Sequence, residues 1–111
     1  MTLREKQSAF AWFVSLLIQR ADALGYQVTL GEAYRSPEEA ARLAKTGKGI
    51  ANSLHTVKLA IDLNLFRDGH YLSSTAAHQP LGEWWETLHP LCRWGGRFKR
   101  ADGNHYELRH P

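Results

Sequence analysis

"LAIDLNLF", residues 59–66, decides the fold because it alternates without a break. Leu59, Ile61, Leu63 and Leu65 share one face, and Ala60, Asp62, Asn64 and Phe66 share the other, the period of two that a β-strand imposes. "RDGH" (67–70) then supplies an Asp-Gly turn leading into a short hairpin partner. "HYELR" (105–109) closes the chain as a second strand, with Tyr106 and Leu108 toward the core and His105 beside Glu107 on the opposite face. If the two strands are neighbours, Asp62 and His105 lie on one polar face.

Helical segments surround these strands. In "AFAWFVSLLIQRADAL" (9–24), Phe10, Phe13, Val14, Leu17, Ala21 and Leu24 recur at i, i+3, i+4, i+7 spacing, which predicts a core-packing amphipathic helix ending near Gly25. "YQVTLGEAYR" (26–35) reads as a strand with Tyr26, Val28 and Leu30 on one face and Gln27 and Thr29 on the other. "SPEEAARLAKTG" (36–47) carries helix-start signals: Ser36 as N-cap, Pro37 at the first helical position and Glu39 closing a capping box. A further helix over 77–89 presents Leu81, Trp84, Trp85 and Leu88 before Pro90, and "RWGGRFKRADGN" reads as a glycine-rich loop. Strands and helices mix without a repeating βαβ rhythm, so the expected class is α+β with a small, largely antiparallel sheet packed with helices. The 111 residues are expected to form one domain, 1–111.

Composition narrows the chemistry. One cysteine, Cys92, excludes an internal disulfide framework and a cysteine-based zinc site; a buried structural thiol is the expectation. The formal charge of +3, with basic residues gathered in "CRWGGRFKR" (92–100), favours anionic partners such as nucleic acid, anionic lipid or a cell-wall polymer. The first helix is too short and too polar to span a membrane, and no export signal is visible.

The polar face carries the chemistry. His55, in the loop entering the first strand, can complete a cluster with Asp62 and His105. Two His, one carboxylate and an open fourth position suit a catalytic zinc ion, and Asp102, three residues before His105, is placed to act as a base without ligating. The residues alone leave a blander reading open: a strand Asp paired with a cation, and His residues at the surface. His70, His78, His89 and His110 are expected at surface or turn positions.

"AYRSPEEAARL", "SLHTVKLAID" and "ADGNHYEL", in that order, resemble the motifs of the D-Ala-D-Ala metallopeptidase family, which includes phage L-alanyl-D-glutamate endopeptidases and relates to the hedgehog fold. The resemblance covers about residues 30–109. It implies Zn²⁺ held by His55, Asp62 and His105 on the sheet face, Asp102 as general base, and Arg35 holding substrate or stabilising the developing oxyanion. Arg35 otherwise pairs with Glu38 or Glu39. Ser53 is expected near bound substrate or as a turn former, and Glu107 behind a ligand histidine or as a solvated strand residue. Lys58 stands where the family pattern has Gly, and an ordinary backbone is expected there.

The implied substrate is the peptidoglycan stem peptide, cut at L-Ala-D-Glu in the manner of a small phage endolysin or, alternatively, at D-Ala-D-Ala as a carboxypeptidase or dipeptidase. Such a lysin is expected to be a monomer without stable membrane insertion. It would gather in the cytoplasm and reach the wall through a membrane lesion. No nucleic-acid partner is expected of it. A non-catalytic zinc-containing module, binding wall glycan or nucleic acid through Trp84, Trp85 and Trp94, is the reading from a different class.

Overall fold

The computed structural model describes residues 1–111. Helix α1 spans Leu3–Ala23 and begins earlier than its apolar stripe suggests, because Thr2 and Glu5 form a reciprocal capping box: the Glu5 N–H donates to Thr2 Oγ1 at 3.1 Å and the Thr2 N–H to Glu5 Oε1 at 2.8 Å. Gly25 follows the helix at φ 86°. Strand β1 (Gln27–Leu30) comes next, then helix α2 (Pro37–Lys45). Ser36 caps α2 by accepting from the Glu39 N–H at 3.0 Å, but the Glu39 carboxylate turns to Arg42 rather than closing the box. A single 3₁₀ turn, Leu54–Val57, leads into strand β2 (Ala60–Arg67).

Strand β3 (His70–Leu72) folds back on β2 through Asp68 (φ 51°) and Gly69 (φ 78°), two consecutive left-handed residues that match the twist of a two-residue hairpin. Helix α3 (Thr75–Leu88), capped by Ser74, precedes strands β4 (Cys92–Trp94) and β5 (His105–Leu108). All pairings are antiparallel: the order is β1-β2-β5-β4, with β3 on the far end of β2. This is the α+β architecture expected.

The alternation of β2 and β5 divides the sheet into two faces. Leu59, Ile61, Leu63, Leu65, Tyr106 and Leu108 form one, and α1 and α3 cover it with Phe10, Leu17, Ala21, Leu81 and Trp85. Asp62, His105 and Glu107 lie on the other. Cys92 is buried, and burial pushes its thiol up to about 12, so it stays protonated and inert.

Three expectations are corrected. Strand β1 ends at Leu30 instead of running on to Arg35, and Leu30 itself is 66% exposed at the end of this edge strand. His78 is buried at 1% exposure and shares a 2.8 Å hydrogen bond with the Tyr106 hydroxyl. The stretch read as a loop starts instead with β4; its Trp94 is buried and donates from Nε1 to Gly103 O at 2.7 Å, pinning the segment down. Trp85 is buried as well, so neither ring can serve as an exposed stacking platform.

Candidate metal centre

The register of β2 against β5 places Asp62 directly opposite His105. Side chains of directly opposed residues leave the sheet on the same face, so the carboxylate and imidazole meet: His105 Nδ1 is 3.2 Å from Asp62 Oδ1. His55 arrives from the 3₁₀ turn, its Nε2 3.4 Å from the same oxygen. Ser53 Oγ accepts the His55 N–H at 3.2 Å, and its carbonyl accepts both the N–H and the hydroxyl of Thr56, which fixes that turn. Ser53 therefore caps the turn while lining the cleft.

Lys58 ends the turn with φ 59° and ψ 37°, the left-handed conformation a glycine would take. The expectation of an ordinary backbone there is wrong. The chain keeps the shape and accepts the side-chain strain, so His55 and Asp62 keep their relation without a glycine.

Each histidine has its second nitrogen turned away from the cluster. His55 Nδ1 faces the Ala33 carbonyl at 3.5 Å, and His105 Nε2 is 2.7 Å from Glu107 Oε1. Glu107 is buried and tied in turn to Arg93, its cross-strand neighbour on β4. A carboxylate behind a ligand histidine fixes the tautomer and raises the basicity of the other nitrogen. Of the two readings of Glu107, the solvated strand residue is excluded.

The donor set fits zinc. His55 Nε2, Asp62 Oδ1 and His105 Nδ1 all lie within 4.8 Å of one another. Two ligands at tetrahedral zinc distances stand about 3.3 Å apart, against 3.2 and 3.4 Å here. Without metal the same groups form a charged network. Burial alone would raise Asp62, but hydrogen bonds and charge from His105 and His55 outweigh it and hold the carboxyl at about 2. Burial would likewise lower His105, yet Asp62 and Glu107 pull it up to about 9.

A cleft of about 910 Å³ opens over the cluster, with Asp102 and Arg35 on its walls. Asp102 Oδ2 is 3.9 Å from His105 Nδ1, and the side chain is 56% exposed. Gly95 makes this placement possible: its α-carbon packs so closely that a Cβ there would sit 2.3 Å from Asp102 O and 2.9 Å from His105 Cβ. Arg35 pairs with neither Glu38 nor Glu39. Both its Nε and Nη2 donate to Glu32 Oε1, whose carboxylate also stands 3.9 Å from His55 Nε2. Glu32 and Arg93 were not among the sequence candidates. A regular strand would put residues 32 and 35 on opposite faces, and only the irregular chain after Leu30 brings them together. Arg93 was hidden because β4 is three residues long.

Comparison with known proteins adds three findings. The sequence pattern of the D-alanyl-D-alanine carboxypeptidase family matches residues 46–108. No curated protein sequence matches the chain. Among solved structures, the Serratia marcescens L-Ala D-Glu endopeptidase ChiX is similar at a TM-score of 0.77 and 17% identity, covering 92% of this chain and 79% of that one. A mutant of the vancomycin resistance D,D-pentapeptidase VanY from a VanB-type resistance cassette, in complex with Zn(II), is similar at a TM-score of 0.59 and 16% identity, covering 90% of this chain and 70% of that one.

Proposed function

The chain belongs to the D-alanyl-D-alanine carboxypeptidase family of metallopeptidases, and from that premise we propose that it is a zinc-dependent peptidoglycan peptidase cutting the L-Ala-D-Glu bond of the stem peptide. The observation that carries the reading is the convergence of His55, Asp62 and His105 on one point with zinc-like donor spacing.

His55 Nε2, Asp62 Oδ1 and His105 Nδ1 would hold the ion. When bound, zinc supplies Lewis acidity to the scissile carbonyl and lowers the pKa of water to about 7. The chain's own groups do the rest. Asp102 is 56% exposed on the cleft wall beside the cluster and is paired with no Lys or Arg, so it takes the proton of the attacking water and passes it to the leaving amine. Of the remaining carboxylates near the histidines, Glu32 has its Oε1 occupied by Arg35, and Glu107 lies behind His105 and is tied to Arg93, which leaves Asp102 as the base. Arg35, 14% exposed on the cleft wall, meets the negative charge that develops on the reacting carbonyl oxygen. Glu107 and the Ala33 carbonyl keep the two imidazoles turned the right way.

The cleft of about 910 Å³ has room for several residues of peptide, and the likeness in fold to a protein described as an L-Ala D-Glu endopeptidase supports the internal cut. The second reading, a D-Ala-D-Ala carboxypeptidase, is favoured by the description of the matched family. An endolysin role, with release to the wall through a membrane lesion, is the cellular setting we attach to the first reading. No helix of the chain is long and apolar enough to cross a membrane.

Digestion of purified peptidoglycan by the zinc-loaded protein, with the new termini identified by mass spectrometry, tests the proposal. New L-Ala carboxyl and D-Glu amino termini are expected. Release of free D-Ala alone would move the cut to the second reading, and an intact sacculus after incubation with zinc-loaded protein would end the peptidase reading.

A further inference from the structure

Arg35 is mostly buried and stands near a cluster built to hold a dication, an arrangement that costs electrostatic energy unless a negative charge intervenes. Glu32 supplies that charge. Its Oε1 accepts Nε and Nη2 of Arg35 together and faces His55 Nε2 at 3.9 Å, so the carboxylate lies between the guanidinium and the histidine. The backbone of Glu32 is held as well: its carbonyl accepts the Asp62 N–H at 2.9 Å, and the preceding Gly31 N–H donates to Asp62 O at 2.8 Å. Glu32 is thus registered to the ligand-bearing strand through the main chain and to Arg35 through the side chain.

This pairing leaves one edge of the guanidinium free. Nη1 has no protein partner, and it points toward Gly49, where a Cβ would come within 3.4 Å of it. Both Arg35 and Gly49 line the cleft. We propose that Glu32 is the positioning residue that aims Arg35 Nη1 into the cleft, and that Gly49 keeps the slot in front of it open for an oxygen of the substrate. The proposal rests on the reading of Arg35 as the group that meets negative charge on the reacting carbonyl. It assigns Glu32 neither a ligand's nor a base's part, since the oxygen facing His55 is the one that Arg35 occupies.

A double-mutant cycle on the zinc-loaded protein with a synthetic stem peptide tests it, reading kcat, KM and zinc content for Glu32→Ala, Arg35→Ala and the double variant. Glu32→Ala is expected to lower kcat about 10- to 100-fold, the worth of a hydrogen bond to a charged group, with zinc retained at the wild-type ratio. The double variant should be no slower than Arg35→Ala alone, because the first substitution acts only through the second residue. Glu32→Gln keeps an acceptor oxygen and should recover part of the loss. Gly49→Val should raise KM while Arg35 and zinc stay in place. Multiplying losses in the double variant, or loss of zinc from Glu32→Ala, would overturn the proposal. Wild-type turnover in Arg35→Ala would remove the role of Arg35 and that of Glu32 with it. The peptidase reading fails separately, on an inactive wild-type protein.

Discussion

Replacing Lys58 by Gly and by Ala should reverse the usual stability order of those two residues. In most backbone conformations Gly is the weaker choice by about 0.5–1 kcal/mol, because the unfolded chain has more freedom to lose. Lys58 is not in such a conformation: at φ 59° and ψ 37° its Cβ crowds the following carbonyl, a cost of about 1–2 kcal/mol that Ala shares and Gly escapes. The difference favours Gly by about 0.5–1 kcal/mol. Both variants lose the exposed Lys58 contact over the Tyr34 ring, 5.7 Å from its centroid, so that term cancels between them. Comparing each variant with wild type would mix it in, at about 0.5 kcal/mol. Urea titrations of both proteins, metal-free and in the same buffer, give the difference directly, and thermal melts should separate by about 3 °C. Since the 58 N–H still closes onto His55 O, zinc binding should be unchanged in both. An Ala variant as stable as the Gly variant would refute the left-handed assignment and the account of how the chain does without glycine.

Zinc binding should release about one proton from His105 at pH 7, because without metal that imidazole is held up to about 9, and apparent affinity should rise about tenfold per pH unit toward that value; calorimetry in buffers of different ionisation enthalpy reads the proton, and a pH-independent affinity would remove His105 from the ligand set. Asp102→Ala should keep zinc and lose about 10²- to 10⁴-fold in turnover, whereas His55→Ala or Asp62→Ala should lose the metal, as elemental analysis beside a peptide assay would show; near-normal activity in Asp102→Ala would refute its role as base. Gly95→Ala should impair turnover while the protein remains folded by circular dichroism, since the added methyl drives against Asp102 O and His105. Burial holds His78 below its ordinary value, so the unfolded chain takes up that proton first as pH drops; stability should be complete above about 6.5 and fall below it. His78→Gln should flatten that part of a stability-versus-pH curve, and an unchanged slope would show that another group governs it.

Local pattern in the sequence was enough for several elements. A period of two put Ile61, Leu63, Tyr106 and Leu108 inward and Asp62 and His105 on the reverse face, since a strand allows no other alternation. Ser36 and Pro37 marked the start of α2, and Asp-Gly marked the hairpin, because caps and left-handed turns demand particular side chains. The candidate ligands were legible for the same reason, helped by motifs that keep their order along the chain.

What decides the site lies between segments. Asp62 meets His105 only because β2 and β5 pair in one register, across 43 positions of sequence. A slip of one residue would turn every side chain to the wrong face. Strand β4 forms although three residues are too few for their alternation to be read as a strand, because β5 offers an edge and α3 covers Cys92 and Trp94. Glu32 reaches Arg35, and Glu107 reaches Arg93, through contacts that no local periodicity encodes. Sequence by itself determined which residues share a face; tertiary structure decided which faces meet, because hydrogen-bond ladders and ion pairs join residues by distance in space and not by spacing along the chain.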